Sequence, residues 1–346
     1  MEHHDHHHDC NHDHEHLHED CCSYWNYATY AILTIFLLKM ISSYLPKKNL
    51  KFKGSNGEKV RILITGGAQG IGKHLAELIT LQNKNDIQLI ILDINQQLGQ
   101  QTVQELQQIT GIIEKNIRFL AIDISDQIKL EEAWKIIIHE FGYVNILVNN
   151  AARVIGKRFK DMAFKDFERT MQINFLPTVQ LTKLFLSQPQ LIQSQTRGQF
   201  HLVNVNSIAG HISSAFNSDY SAGKFALHGF TSSLRQEMID DYPKLVMTNI
   251  YPYHVNTGMF EGFNPRLSLL IPTLDQKYVA KRIYEAICEN EAEVYVWWYI
   301  IYIKMICDWL PYRFIWWFIN FSTSDGMKTF KGRSNYQVSI AEKKNK

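Results

Sequence analysis

One short stretch constrains the fold more than any other. Thr65-Gly66-Gly67-Ala68-Gln69-Gly70-Ile71-Gly72 follows an apolar run, Val60–Thr65, and opens a helical pattern over Gly70–Leu81. Glycines at 66, 70 and 72 allow a tight turn, close backbone approach to a pyrophosphate and close packing of helix on strand. The N-terminus of the helix, at Gly70, Ile71 and Gly72, favours phosphate charge. A glycine trio alone says little. The strand before it and the helix after it make the pattern specific for a dinucleotide.

Beyond this turn, apolar strand-like runs recur at Ile87–Asp93, Ile117–Ile122, Val144–Val148, Phe200–Asn206 and Val246–Tyr251, with helical patterns such as Gln96–Ile109 and Leu130–Phe141 between them. Strands alternating with helices predict an α/β fold with a doubly wound parallel sheet. Apolar residues make up 45% of the 346 residues and charged residues 20%, which excludes wholesale disorder and collagen-like structure. Five cysteines are too few for a disulfide scaffold, so the main body belongs in a reducing compartment.

Asp93 ends the second strand, at the distance beyond Gly72 where an acid accepts hydrogen bonds from a ribose 2′-hydroxyl and repels a 2′-phosphate. NAD is therefore expected rather than NADP, and the alternative for Asp93 is a helix N-cap. Tyr220 and Lys224 are spaced i, i+4, which places them on one helix face. That spacing is common, and its weight comes from Ser207, just past the buried run Leu202–Asn206. A strand end and the following helix bring the three groups around one point. A lysine ammonium beside a phenol is expected to lower its pKa, making Tyr220 a general base toward an alcohol or a general acid toward a carbonyl. Ser207 would hold the oxygen on which charge develops.

The ends of the chain differ from this body. Residues 1–20 hold nine of the fifteen histidines, seven acids and no Lys or Arg. Such a tract cannot bury a core and reads as a disordered tail over 1–22. Loose metal binding is one reading of it, but no fixed ligand spacing appears, so no metal site is assigned. Trp25–Leu45, at ~1.5 Å per residue, is about as long as one hydrocarbon core, with aromatic residues near both ends. It predicts a membrane anchor over 23–46. Lys47, Lys48, Lys51 and Lys53 follow it and no Lys or Arg precedes it, which places the body over 58–292 in the cytosol. Residues 294–321 hold five of the seven tryptophans and are broken by Lys304, Asp308, Pro311 and Arg313. The preferred reading of 293–346 is an aromatic element in the membrane interface that forms a substrate entrance, followed by a basic tail. An aromatic substrate lid or dimer contact is the alternative. No arginine-rich arm or zinc-finger spacing points to nucleic acid.

The glycine motif 65–72, Asp93, Asp123-Ile124, Asn149-Asn150-Ala151, Asn174, Ser207, Tyr220-Ser221-Ala222-Gly223-Lys224 and Pro252–Thr257 stand in the order and spacing of the short-chain dehydrogenase/reductase family, which the segment from about 58 to 290 resembles. The resemblance implies a Rossmann fold and a homodimer. It implies Tyr220 as catalytic acid/base, Lys224 as the group that binds the nicotinamide ribose and tunes Tyr220, Ser207 as the group that positions the reacting oxygen, and Asn174 in a proton relay. Asp123 would contact adenine, Asn150 the cofactor floor, and Val255 and Thr257 the nicotinamide end. Three departures are Ala152 and Tyr253, where Gly is usual, and Gly223, where Ala or Ser is usual. Residues 252–262, with Ile271–Leu274 and Ser324–Phe330, are similar to the membrane-associated branch that holds retinol dehydrogenases and 17-beta-hydroxysteroid dehydrogenases.

The expectation is therefore a membrane-associated, NAD-dependent oxidoreductase for a lipophilic alcohol, such as a retinoid, steroid or long-chain alcohol. Its place would be the endoplasmic reticulum membrane or the lipid droplet, with the catalytic domain in the cytosol. An NADPH-dependent reductase of a lipid ketone is opposed by Asp93. A non-catalytic surface protein is opposed by the intact Ser207, Tyr220 and Lys224.

Overall fold

The computed structural model describes residues 57–194, 199–263, 273–297 and 299–328, with Tyr27, Tyr30, Ala31, Thr34, Phe52, Arg266 and Phe330. The chain divides into two units, Met1–Leu50 and Lys51–Lys346. In the first, the four described residues are helical, and Thr34 Oγ1 donates to the Tyr30 carbonyl (2.7 Å). The expected His-rich tail and most of the expected anchor over 23–46 lie outside the described residues. Among the described residues, no helix is long and apolar enough to cross a membrane.

The second unit follows the alternation of the sequence. Its elements are β1 (Val60–Thr65), α1 (Gly70–Asn83), β2 (Ile87–Asp93), α2 (Gln96–Thr110), β3 (Ile117–Ala121), α3 (Gln127–Phe141), β4 (Ile146–Asn149), α4 (Phe164–Asn174), α5 (Leu176–Leu186) and α6 (Pro189–Ile192). Then come β5 (His201–Val205), α7 (Ser218–Asp241), β6 (Val246–Tyr251), α8 (Gln276–Glu289), β7 (Glu293–Tyr295), α9 (Ile300–Trp309) and α10 (Tyr312–Lys328). The strands form one parallel sheet in the order β3-β2-β1-β4-β5-β6-β7. This is the doubly wound Rossmann arrangement. The strand order reverses between β1 and β4, so a crevice opens beyond the carboxyl ends of these strands.

Side-chain alternation sorts the strands onto two cores. Ile62, Ile64, Leu89 and Ile91 face one core with Leu75 and Ile79 of α1 and Val279, Ile283 and Ile287 of α8. Leu63, Ile90, Leu92 and Leu202 face the other, with Trp134 of α3, Phe185 of α5 and Leu234 of α7. Full burial of such an aliphatic side chain contributes about 1.5–3 kcal/mol. A one-residue slip of β1 would exchange its faces and forfeit that gain at several positions at once, so the register is firmly set.

Caps fix element ends that periodicity left loose. α3 begins at Gln127, three residues ahead of the apolar pattern, because the Asp126 side chain accepts from the Lys129 N–H (3.2 Å). α8 is capped by Asp275 and ends at Asn290 in the left-handed region (φ 55°). The body read as ending at residue 292 takes one further strand. β7 pairs with β6 through Asn249↔Glu293, Ile250↔Val294 and Tyr251↔Tyr295. Arg235 of α7 secures it by an ion pair with Glu293 (2.6 Å) and a hydrogen bond to the Ala292 carbonyl (2.9 Å). The aromatic C-terminal region thus starts as a sheet edge before it becomes α9 and α10.

Candidate active site

The glycine turn joins β1 to α1. Gly66 (φ 67°) and Gly70 (φ 60°) occupy the left-handed region, where a Cβ is disfavoured. Gly72 is needed for space: a Cβ there would stand 2.3 Å from the Gly66 carbonyl oxygen and 2.6 Å from Asn150 Nδ2. Ile71, between them, packs partly buried against the core that holds α1. Asn150, just past β4, clamps the turn by donating from Nδ2 to the carbonyls of Thr65 (3.0 Å) and Gly66 (3.1 Å). No side chain caps the N-terminus of α1, whose N-cap residue is Gln69. The turn is therefore a firmly held cradle at a helix N-terminus, without side chains at 66, 70 and 72, and it fits the pyrophosphate of a dinucleotide.

Asp93 is buried at the end of β2. Its carboxylate accepts from the Ala68 N–H (3.1 Å) in the turn and from the Asn95 N–H (3.1 Å). The cap of α2 is Asn95, which accepts from the Leu98 N–H (3.0 Å), so Asp93 is not the N-cap. Asp123, past β3, has its carboxylate engaged by the Ser125 N–H (3.1 Å) and hydroxyl (2.7 Å) and by an ion pair with Arg169 of α4. Burial opposes its ionisation, but the bonds from Ser125 and Arg169 prevail and hold its pKa below the ordinary carboxylate value. The Arg169 partner had no signal in the sequence.

Ser207, Tyr220 and Lys224 come together as their spacing predicts. Ser207 follows β5, and its Oγ accepts from the Ala209 N–H (3.1 Å). Tyr220 and Lys224 lie buried on α7, with Lys224 Nζ 5.7 Å from the Tyr220 ring centroid. The expected lowering of the phenol by the lysine does not appear. Burial pushes the Tyr220 pKa up to about 12, and a hydrogen bond with Ser207 only partly opposes it. Burial also brings Lys224 down to about 7, and its Nζ donates to the Val205 carbonyl (2.8 Å). With its pKa brought near neutral pH, Lys224 is only partly protonated there, which weakens its effect on the phenol. Asn174, at the end of α4, makes a reciprocal pair with the Arg153 backbone, each bond 2.8 Å. Val255 is buried and bridged to Leu274, while the Thr257 methyl comes within 4.0 Å of where a Cβ on Gly70 would stand. The loop after β6 therefore passes beside the glycine turn.

A cavity of about 120 Å³ opens beside Ser207 and Tyr220. Ile208, Ile212, Phe260 and Phe263 line it from the loops after β5 and β6, and Ile300, Phe318, Ile319 and Ser322 from α9 and α10. Tyr253 and His254 complete the wall. Burial moves His254 down to about 4 and Tyr253 up to about 12, so both are neutral at pH 7. The sequence reading did not single out His254, Phe263 or Phe318. They meet through loop and helix packing that leaves no periodic trace.

The family model for short chain dehydrogenase matches residues 60–267. The chain belongs to the short-chain dehydrogenase family. It is 33% identical over 262 residues to short-chain dehydrogenase/reductase family 16C member 6 of Bos taurus, covering 75% of this chain and 77% of that one. It is 30% identical over 287 residues to epidermal retinol dehydrogenase 2 of Mus musculus, covering 82% and 85%. A short-chain dehydrogenase/reductase from Burkholderia phymatum, crystallised in complex with NAD, has the same fold (TM-score 0.62, 20% identity, 73% of this chain and 94% of that one).

Within this short-chain dehydrogenase, two of the departures have structural consequences. A Cβ at Gly223 would lie 3.1 Å from Asn174 Cβ, so the glycine leaves Asn174 room to hold the Arg153 backbone. Tyr253 contributes a partly buried ring to the cavity wall. Nothing in the structure explains Ala152.

Proposed function

We propose that this short-chain dehydrogenase is a membrane-associated, NAD-dependent oxidoreductase acting on a lipophilic alcohol or its carbonyl product. The observation that carries the reading is the position of Tyr220 and Ser207 at the edge of a mainly apolar cavity whose outer wall is α9 and α10.

NAD, when bound, supplies the two-electron acceptor. Gly66, Gly70, Ile71 and Gly72 would hold its pyrophosphate, Asp93 the adenosine ribose, and Asp123 and Asn150 the adenine side and the floor. Val255 and Thr257 would flank the nicotinamide end. Ser207 fixes the substrate oxygen. Tyr220 takes the hydroxyl proton during oxidation or returns it during reduction, while Lys224 binds the nicotinamide ribose and tunes Tyr220, and Asn174 supports a water-linked relay for its proton. With its pKa raised, Tyr220 favours the protonated phenol, so oxidation is expected to accelerate as pH rises while reduction is not.

Membrane association is supported by the outer faces of the same helices. Trp309 is 90% exposed, and Tyr312, Phe314, Trp316 and Trp317 are each more than half exposed. A patch of this size and composition suits the lipid interface, where Trp and Tyr concentrate. The surface would be that of the endoplasmic reticulum or a lipid droplet, with the catalytic unit on the cytosolic side. A homodimer is part of the same proposal, and Phe225 and Ile239 are exposed apolar side chains on α7.

The test is Tyr220→Phe with NAD and a panel of retinol, steroid and fatty alcohols in liposomes. Turnover is expected to fall by about 10²–10⁴-fold, with NAD affinity retained. Substantial remaining dehydrogenase activity would falsify the assignment.

A further inference from the structure

His254 sits in the loop after β6 with its ring against two aromatic neighbours. Its centroid is 5.6 Å from that of Phe260 at 87° and 4.5 Å from that of Phe263 at 65°. Tyr220 meets the same Phe260 ring edge-on, 5.8 Å away at 87°. Tyr220 and His254 thus flank one shared ring, no farther apart than two ring spacings, and both line the cavity. Among the described residues, the His254 ring has no hydrogen-bond partner. Of the other polar side chains around the cavity, Asn217 donates to Ser214 (3.0 Å) and Ser322 to the Ile319 carbonyl (3.0 Å), Ser213 is at the exposed rim, and the Tyr253 hydroxyl, like the His254 ring, shows no hydrogen bond among the described residues.

We propose that His254 is a specificity-determining residue that reads a second oxygen function, a hydroxyl or carbonyl, on the same apolar skeleton as the reacting carbinol. The inference rests on the proposed reading of Tyr220 and deepens it. The preferred substrates are lipophilic molecules with two oxygens, held at Tyr220 by one and at His254 by the other. Kept neutral by burial, the imidazole offers one N–H donor and one lone pair, so it pairs with either function. Set between phenyl rings in the cavity wall and only partly buried, it meets water while the cavity is empty; a bound apolar skeleton displaces that water, and a ligand without a second oxygen then leaves the ring unsatisfied.

The test compares long-chain 1-alkanols with α,ω-diols of the same length, using the full chain in liposomes. Two quantities are read for each pair: kcat/KM with NAD, and equilibrium binding by tryptophan fluorescence. The wild-type chain is expected to favour the diol by about tenfold. His254→Phe and His254→Leu bring that ratio to about one, and His254→Gln, which keeps a donor and an acceptor, retains most of it. The ratio is taken within each variant, so partial loss of folded protein cancels. No diol preference in the wild type, or an unchanged preference in both apolar variants, overturns the proposal. If nothing is turned over but the binding preference still depends on residue 254, the dehydrogenase reading fails and the assignment of His254 stands.

Discussion

The glycine turn and the aromatic wall border the same cleft, yet different atoms shape them. In the turn, backbone meets backbone: the Gly66 carbonyl would be 2.3 Å from any Cβ at Gly72, and the Asn150 amide closes the gap. In the wall, side chains from distant segments, Ile208, Phe260, Ile300 and Phe318, meet with few hydrogen bonds among them. A site made of backbone tolerates almost no change of volume. A site made of side chains can be reshaped by substitution while the sheet persists. The turn thus suits a dinucleotide that never varies, and the wall suits a substrate whose shape does.

Four measurements test the difference between turn and wall. At neutral pH the largest effect is expected for Gly72→Ala, where the added methyl must displace backbone. Overpacking of this kind costs about 1–3 kcal/mol or more, so the unfolding midpoint drops and NAD affinity falls with it. An unchanged midpoint would show that the turn is not held rigidly.

His201 of β5 gives the next effect. It is buried beside Thr248 (2.6 Å), and burial pushes its pKa down to about 3 from an ordinary 6.5. The unfolded chain therefore takes up the proton first. Stability is full above about pH 6.5 and is lost as pH falls toward 3, at about 1.4 kcal/mol per pH unit for this histidine. Denaturant titrations at stepped pH would reveal it, and a flat profile in the wild type would contradict the assigned burial.

Asp93→Ser removes the acceptor of the Ala68 and Asn95 amides, with a cost of about 1–3 kcal/mol. It is also expected to shift the preference between NAD and NADP toward NADP by at least about tenfold, read from the two dissociation constants. A retained preference would mean that Asp93 serves only to hold the turn.

The smallest change in stability, about 0.5 kcal/mol per ring, is expected for Trp309→Ser with Trp316→Ser and Trp317→Ser, because these rings are more than half exposed. Their loss should still abolish most liposome flotation of the catalytic unit, while turnover of a water-soluble alcohol persists. Equal flotation of wild type and triple variant would leave the aromatic surface without the proposed role.

The contrast also decides what could be read from the sequence. Gly66, Gly70 and Gly72 were legible because a turn and its helix are local, and Asp93 because it ends the next strand. Ser207, Tyr220 and Lys224 were legible as a set through strand and helix geometry. β7 was hidden because a three-residue strand inside an aromatic run has no periodicity of its own. The pKa of Tyr220 went the other way from the expectation because burial, which also brings Lys224 down, depends on the whole packed unit and not on two neighbours along a helix. His254 was out of reach for the same reason, since its surroundings come from Phe260, Phe263 and Tyr220 rather than from its own neighbours in the chain.

α10 turns Phe318, Ile319 and Ser322 toward the cavity and leaves Trp316, Trp317 and Phe321 outside. If the outer rings are seated in a lipid leaflet, as proposed, the quantity that saturates the enzyme would be the mole fraction of alcohol dissolved in that leaflet. Adding bare vesicles at a fixed total amount of alcohol would then slow the reaction by surface dilution, although nothing in the bulk solution had changed.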